Sequence, residues 1–233
     1  MAPTKIWAHR GESAHHLENT LEAFHAAVAA GADGIELDVR RCASGEAVVF
    51  HDATLERLAG RPEAVASLSL ARLRAVRLGG GSRIPTLVEA LEATGSLEVN
   101  VELKVDGWRP TGVEAAAVEA IRRAGAQHRV LVSSFHPLAL LRLRRLAPRL
   151  RRALLFDGAH PTACLAPVLG VEALHPDDRL VTRRHLQRWR HLAPVVNVWT
   201  VDEAARARQL AAWGVDGLIT NDPARIRDAL MGL

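Results

Sequence analysis

Two acidic residues, Glu36 and Asp38, interrupt the apolar segment Gly34-Ile35-Glu36-Leu37-Asp38-Val39. Because a β-strand points alternate side chains to the same face, these two carboxylates would lie side by side on one face of a strand. Adjacent carboxylates repel each other, and burial makes the repulsion more costly unless a cation lies between them. The spacing therefore predicts a metal site.

A second segment, Glu98-Val99-Asn100-Val101-Glu102-Leu103-Lys104, adds a third carboxylate to this predicted site. Its alternation places Asn100, Glu102 and Lys104 on one face of a strand. Three carboxylates without a cysteine form the donor set of a hard cation, Mg²⁺ or Ca²⁺, completed by water and substrate oxygens. The alternative is a charge network in which the acids only pair with Arg10 and Lys104.

Two histidines end apolar stretches and can supply acid/base chemistry beside the metal. His9 ends the first such stretch of the chain, and His51 ends the stretch Ala47-Val48-Val49-Phe50. With a pKa of about 6.5, one imidazole can accept a proton while the other donates one on the opposite side of a substrate. Arg10 and Lys104 add positive charge, which suits a phosphoryl group with developing negative charge.

An alternation of strands and helices has to position these groups. Strand-like runs lie near residues 5–9, 34–40, 98–104, 130–135, 151–156, 172–175, 195–200 and 217–220. Helical patterns lie near 19–30, 86–94, 113–125, 137–147, 182–192, 202–213 and 222–231, with Asn19 and Asp222-Pro223 marking two helix starts. Eight parallel strands with intervening helices predict a (β/α)8 TIM barrel, an α/β fold whose active groups gather at the carboxyl ends of the strands. An open doubly wound sheet is the alternative, but no glycine-rich dinucleotide fingerprint follows the first strand.

The strand-like segment 47–51 breaks this alternation. It begins only a few residues after the second strand, whereas a parallel crossover needs about a dozen residues, so we expect an antiparallel β-hairpin about residues 43–46. Pairing outward from that turn would set Asp38 near Val49. It would also bring the imidazole of His51 back beside the carboxylate pair.

Residues 52–85 form an irregular excursion that carries the glycine loop 79–81, and we expect a short insertion at the rim of the barrel, either a lid or a plain surface feature.

The chain has 233 residues, of which 48% are hydrophobic, and this is enough to bury a full core. We find no internal repeat or composition shift, so residues 1–233 are predicted to form one domain.

Charge and composition exclude several classes of function. The sequence pI is about 10.0, but the basic residues follow helices without interleaved aromatics, which argues against nucleic-acid binding and supports only a mild attraction for anionic substrates. No run approaches the roughly 18 apolar residues of a membrane helix and no leader is recognisable, so we expect a cytoplasmic protein without stable membrane insertion.

Cys42 and Cys164 have no metal-binding spacing and are expected to be free thiols. The remaining histidines are expected on loop or helix surfaces: His15, His16, His25, His128, His136, His160, His175, His185 and His191.

An ordered set of short motifs covers nearly the whole chain. It runs through His9-Arg10-Gly11, Glu18-Asn19-Thr20-Leu21-Glu22-Ala23-Phe24, Glu36-Leu37-Asp38-Val39, Val48-Val49-Phe50-His51-Asp52, Ile84-Pro85-Thr86-Leu87, Val101-Glu102-Leu103-Lys104, Ser133-Ser134-Phe135, Val198-Trp199-Thr200-Val201 and Gly217-Leu218-Ile219-Thr220-Asn221-Asp222-Pro223. This set resembles the glycerophosphodiester phosphodiesterases of the phosphatidylinositol phospholipase C-like barrel superfamily. The chain departs from the family at Leu17, where proline is usual, and at Leu58-Ala59, where threonine is common. These departures affect loop shape and substrate preference rather than chemistry.

The resemblance implies a role for each candidate site residue. It implies that Glu36, Asp38 and Glu102 bind one divalent cation, that His9 and His51 are the catalytic acid/base pair, that Arg10 and Lys104 contact phosphate, that Trp199 lines the substrate mouth and that Glu18 supports these groups. The implied reaction is metal-dependent hydrolysis of a glycerophosphodiester to sn-glycerol 3-phosphate and an alcohol. Which histidine is the acid, and whether water or the glycerol 2-hydroxyl attacks first, stays open.

Three other functions remain as alternatives. The same site could cleave lysophospholipids in the manner of a lysophospholipase D. An aldolase-like barrel could instead use Lys104 as a Schiff-base amine, which predicts activity without metal and trapping by borohydride. A binding barrel without catalysis is the third alternative. The clustered carboxylates and histidines favour the metal-dependent hydrolase over the last two.

Overall fold

Eight parallel strands of the computed structural model close into a barrel, and the structure describes residues 3–158 and 161–232. These eight strands are β1 (Lys5–His9), β2 (Gly34–Arg41), β4 (Glu98–Leu103), β5 (Val130–Ser134), β6 (Arg151–Phe156), β7 (Ala173–Pro176), β8 (Val195–Val198) and β9 (Gly217–Thr220), and an additional antiparallel strand, β3 (Ala47–Val49), pairs with β2 outside the ring. Their order around the sheet is β1-β9-β8-β7-β6-β5-β4-β2, and pairing of β1 with β2 closes the ring. The predicted (β/α)8 TIM barrel is therefore confirmed.

Helices connect the strands and cover the outside of the barrel. They are α1 (Leu21–Ala29), α2 (Glu56–Ala59), α3 (Leu70–Ala75), α4 (Leu87–Ala93), α5 (Val113–Arg123), α6 (Pro137–Leu146), α7 (Ala166–Leu169), α8 (Arg183–Arg190), α9 (Ala204–Ala212) and α10 (Pro223–Met231). The short helices α2, α3 and α7 were not predicted, because four to six residues are too few to show helical periodicity. Thr20, rather than the predicted Asn19, caps α1, and its Oγ1 accepts a hydrogen bond from the backbone N–H of Ala23.

Alternation along β2 decides which side chains reach the barrel interior. Ile35 and Leu37 are fully buried in the layer between strands and helices, together with Phe24 of α1 and other apolar side chains. The intervening acids therefore point to the inside, as the period of two requires. This layer holds the strands in fixed positions, so their carboxyl ends can serve as a rigid frame for a site.

The extra hairpin after β2 forms as predicted, but its register is displaced by one residue. Val39 rather than Asp38 lies opposite Val49, and β3 pairs antiparallel with β2. The reason is the turn: Cys42 donates its N–H to the carbonyl of Glu46, which leaves a three-residue loop, and Gly45 takes the left-handed conformation with φ of 108°. His51 consequently follows the last paired residue of the hairpin, Val49, by two positions and lies outside the β2–β3 ladder.

The insertion of residues 52–85 packs on its own apolar cluster. Leu55, Val65 and Leu73 are fully buried there against Phe50 at the end of the hairpin. The glycine loop 79–81 is exposed and contributes no side chain to the cavity described below. The insertion is thus a folded part of the rim.

The expectation for His175 is wrong. Its side chain lies inside the barrel on β7, completely buried, where Asn197 of β8 donates a hydrogen bond to its Nε2 over 3.0 Å. The residue falls within a predicted strand, so the strand prediction itself argued against a surface position. Burial lowers the pKa of His175 to about 3. His160, also expected at the surface, lies outside the described residues.

The two cysteines are free, with Cys42 buried and Cys164 exposed. Among the described residues, none of the helices combines the length and the apolar character that crossing a membrane would require.

Candidate active site

A tight turn after β1 presents His9 and Arg10 at the mouth of the barrel. Arg10 has φ of 57° and Gly11 has φ of 85°, so both lie in the left-handed region. A Cβ on Gly11 would lie 2.7 Å from the backbone carbonyl carbon of Ala23, and only glycine fits this approach of the turn to α1. A non-glycine residue in this conformation is uncommon and is often found at functional sites.

The three predicted carboxylates meet at the carboxyl ends of β2 and β4. Asp38 and Glu102 are register partners on these neighbouring strands. One carboxylate oxygen from each of Glu36, Asp38 and Glu102 lies within 4.8 Å of the others, and all three side chains are buried. Within residues 3–158 and 161–232 this is the one group of three or more such side chains close enough to share an ion.

Burial and the neighbouring charges shift the pKa values of the three acids in different directions. Burial, followed by the charges of Asp38 and Glu102, raises the pKa of Glu36 well above its ordinary value. Burial and the charge of Asp38 likewise raise the pKa of Glu102 to about 7. Burial would also raise the pKa of Asp38, but the adjacent Lys104 and Arg10 outweigh it and lower that pKa below its usual range.

Two basic side chains neutralise part of the cluster. Lys104 Nζ lies 3.0 Å from Asp38 Oδ1 and 2.5 Å from Glu102 Oε1. Arg10 Nε lies 3.1 Å from Asp38 Oδ2. Asp38 and Glu102 are therefore paired with bases, as the alternative of a charge network predicts, whereas Glu36 Oε1 is buried without a hydrogen-bond partner in the described part of the chain.

The donor set of the cluster fits a hard divalent cation. It consists of carboxylate oxygens alone, which Mg²⁺ and Ca²⁺ prefer. When all three acids are ionised they exceed the two bases by one negative charge, and an unpartnered buried carboxylate oxygen is costly unless a cation or a donor satisfies it. An added cation would lower the raised pKa values of Glu36 and Glu102 by the same attraction.

His9 is held in one orientation by an amide. Its Nδ1 donates to Asn221 Oδ1 over 2.8 Å, and Asn221 Nδ2 in turn donates to Asp202 Oδ2 over 2.6 Å. The bond to Asp202 fixes which end of the Asn221 amide faces the imidazole. Nε2 of His9 then carries the lone pair, 3.9 Å from Glu36 Oε2. Burial and the charge of Arg10 lower the pKa of His9, which favours the neutral imidazole.

His51 has a carboxylate partner instead. Its Nδ1 donates to Asp52 Oδ1 over 2.7 Å, and Asp52 Oδ2 accepts from Arg57 Nε over 2.6 Å. Burial lowers the pKa of His51, while the charge of Asp38 and the hydrogen bond to Asp52 act in the opposite direction. A carboxylate partner stabilises an imidazolium better than an amide does, so the two histidines have different surroundings.

Glu18 joins the two sides of the site. Its Oε1 accepts hydrogen bonds from Arg10 Nη1 over 2.9 Å and from Arg57 Nη2 over 2.6 Å. Asn19, the next residue, donates from Nδ2 to Asp38 Oδ2 over 2.8 Å. The segment before α1 therefore holds both a basic side chain and an acidic member of the cluster in place.

A cavity of about 150 Å³ opens above the cluster. Its lining consists of His9, Arg10, Glu36, His51, Asn100, Glu102, Lys104, Phe135, Leu155, Trp199 and Ile219. Of the residues predicted from the sequence, Asp38 and Glu18 lie behind this lining and the others form it. Trp199 packs edge to face on Phe135, with ring centroids 5.5 Å apart, and forms an apolar wall. A larger cavity of about 460 Å³ lies at the amino ends of the strands, away from the carboxylates.

Several residues that hold the site together were not assigned such a role from the sequence. They are Asn19, Asp52, Arg57, Asp202 and Asn221. Asp52 directly follows a candidate histidine, and this adjacency is a signal that could have been used. The contact of Asn221 with His9 spans 212 positions and carries no local signal.

Comparison with known proteins agrees with this geometry. The model of the glycerophosphoryl diester phosphodiesterase family matches residues 9–225. A glycerophosphodiester phosphodiesterase of Caldanaerobacter subterraneus subsp. tengcongensis is 33% identical, covering 94% of this chain and 95% of that protein. One of Bacillus altitudinis is 32% identical, covering 95% of this chain and 96% of that protein.

A solved structure also resembles the chain. The Oleispira antarctica phosphodiesterase, in complex with the product sn-glycerol-3-phosphate, superposes with a TM-score of 0.91 at 26% identity, covering 98% of this chain and 97% of that one. The resemblance inferred from the motifs is confirmed. The chain belongs to the glycerophosphoryl diester phosphodiesterase family.

Proposed function

We propose that this protein hydrolyses glycerophosphodiesters to sn-glycerol 3-phosphate and an alcohol, in a reaction that depends on one divalent cation. The observation that carries the proposal is a cluster of three buried carboxylates beneath a cavity that two of them, Glu36 and Glu102, line together with both imidazoles. The complex of the Oleispira antarctica relative with sn-glycerol-3-phosphate supports the identity of the product.

Glu36, Asp38 and Glu102 would hold the cation, Mg²⁺ or Ca²⁺, and it would supply positive charge to the phosphoryl oxygens. Arg10 adds a fixed cation beside it, because Glu18 and Asp38 already restrain its guanidinium. Lys104, at the opposite edge of Asp38, adds another. Positive groups held in place before the reaction stabilise the charge that develops on the phosphoryl group.

The surroundings of the two histidines support different roles. His9 is bonded to an amide and is favoured in its neutral form, so its Nε2 is suited to accept the proton of the attacking hydroxyl. Burial lowers the pKa of His51 as well, but the hydrogen bond to Asp52 opposes that lowering and favours the protonated ring. His51 is therefore the better suited of the two to donate a proton to the departing alkoxide as the P–O bond breaks. Either water or the glycerol 2-hydroxyl can be the attacking group in this scheme.

Product analysis tests the proposal. Glycerophosphocholine, glycerophosphoethanolamine and lysophosphatidylcholine are each incubated with the protein, with and without a chelator. The product measured is sn-glycerol 3-phosphate from the first two substrates and lysophosphatidic acid from the third. We expect sn-glycerol 3-phosphate to form from the two glycerophosphodiesters and to disappear with chelator. His9→Ala and His51→Ala should each reduce turnover by roughly 10²-fold or more. Full turnover in both variants would refute the proposal, and chelator-resistant activity that borohydride abolishes would favour the Schiff-base alternative.

A further inference from the structure

Asn100 lies on β4 at the floor of the same cavity. It is the register partner of Glu36 on β2, and its side chain lines the cavity beside Glu36 and Glu102. Only 1% of its surface is exposed. The amide is therefore a polar group inside the barrel, directly next to the acidic cluster.

Both polar atoms of this amide lack a partner. Neither Oδ1 nor Nδ2 of Asn100 forms a hydrogen bond with any described residue. Burying an amide without hydrogen bonds is costly, so an unpartnered amide implies a partner outside the chain. The adjacent Glu36 Oε1 has the same lack of a partner.

A second buried asparagine provides the contrast. Asn197 on β8 also faces the barrel interior, but its amide donates to His175 and it lines the cavity at the amino ends of the strands instead. Burial of an asparagine in this barrel thus does not by itself leave the amide free. The free amide is the one beside the carboxylates.

We propose that Asn100 belongs to the divalent cation site and contributes Oδ1 to it as a fourth, neutral protein oxygen. Amide oxygens are common members of Ca²⁺ sites, and a neutral oxygen adds affinity without adding to the repulsion among the three carboxylates. The inference rests on the cation dependence proposed above. It assigns to Asn100 a role in holding the ion, separate from any proton transfer.

Direct binding of Mn²⁺ to the intact protein tests this role without reference to activity. Titration is followed by electron paramagnetic resonance for the wild type, Asn100→Leu, Asn100→Ala and Asn100→Asp. We expect both apolar variants to bind Mn²⁺ at least about 10-fold more weakly, because loss of even an outer partner of a metal ligand commonly costs 10- to 100-fold. Asn100→Asp retains an oxygen at this position and should bind Mn²⁺ at least as tightly as the wild type.

Asn197→Leu is the matched control, since it removes the same amide from the other end of the barrel. Thermal unfolding identifies variants that fail to fold, and the smaller Asn100→Ala covers the case in which leucine does not fit. Unchanged Mn²⁺ affinity in a folded Asn100→Leu or Asn100→Ala, or equal loss in Asn197→Leu, would overturn the inference. Absence of Mn²⁺ binding in the wild type would instead refute the cation site itself.

Discussion

At the scale of single residues, the two imidazoles show how similar side chains acquire different properties. His9 and His51 both line one cavity, but their Nδ1 atoms have different partners. His9 donates from Nδ1 to Asn221, and His51 donates from Nδ1 to Asp52. The sequence predicted both histidines because each ends an apolar strand. It could not predict Asn221, because that contact depends on closure of the barrel between β1 and β9.

The carboxylate beside His51 leads to a prediction about pH. Asp52→Asn should reduce kcat by roughly 10²-fold, since the new amide stabilises the protonated ring of His51 less well than the carboxylate does. The hydrogen bond to Asp52 raises the pKa of His51, so its loss lowers that pKa and should move the alkaline limb of the kcat/KM profile to lower pH. Kinetics across pH measure both effects. Asp228→Asn, an exposed change on α10, is the control, and identical pH profiles for the two variants would contradict the assignment.

At the scale of elements, the strands and long helices could be predicted well because each shows a periodic pattern over its own length. The hairpin register and the fold of the insertion could not, because a three-residue loop and a separate apolar cluster decide them. Among the resulting contacts, Arg57 on the short helix α2 joins Glu18 to Asp52. The insertion therefore braces both Arg10 and His51 through these two acids.

Arg57→Met tests this bracing. The change keeps the apolar stem and removes the charge, so Asp52 and Glu18 each lose a partner while the fold of α2 is kept. We expect kcat to fall about 10-fold with a smaller change in KM, and steady-state kinetics are the measurement. Arg61→Met, which removes an ion pair to Glu63 within the same insertion, should leave kcat unchanged. An equal effect of the two changes would show that Arg57 does not position the site.

The turn after β1 gives a second prediction at this scale. Gly11→Ala adds a Cβ that would contact the backbone at Ala23, in addition to the cost of the left-handed conformation. Gly95→Ala adds a Cβ in the same conformation, with no atom within 4 Å. Chemical denaturation should show a loss of about 1 kcal/mol for Gly95→Ala and about 3 kcal/mol or more for Gly11→Ala. Equal losses would mean that the turn can move away from α1.

At the scale of the whole molecule, the two ends of the barrel are chemically different. The acidic cluster, His9 and His51 and the apolar wall formed by Trp199 and Phe135 all lie at the carboxyl ends of the strands. The amino ends carry ion pairs such as Lys5 with Glu98 and Arg190 with Asp216, which surround the larger cavity. In this fold the face at the amino ends of the strands contributes to stability, whereas active sites lie at the carboxyl ends. Between the two ends lies the buried His175.

His175 makes the stability of the whole barrel depend on pH. Its pKa is about 3 in the folded protein, against an ordinary value of 6.5, so the unfolded chain binds the proton more readily. Its contribution to stability is complete above pH 6.5 and is lost as pH falls from about 6.5 towards 3, by up to about 1.4 kcal/mol per pH unit. Urea denaturation at several pH values should show a shallower dependence in His175→Gln. The exposed control His25→Gln should behave as the wild type, and a wild-type slope in His175→Gln would contradict this account.

Anomalous diffraction from a crystal soaked in Mn²⁺ would locate the cation that we propose among Glu36, Asp38 and Glu102. We expect one peak, about 2.0 to 2.6 Å from an oxygen of each of the three carboxylates. We also expect this peak to disappear in the double variant Glu36→Gln/Glu102→Gln. The proposed cation site would be contradicted by soaked crystals that show no peak and keep Lys104 paired to Asp38 and Glu102, if the same protein hydrolyses glycerophosphodiesters in the presence of a chelator.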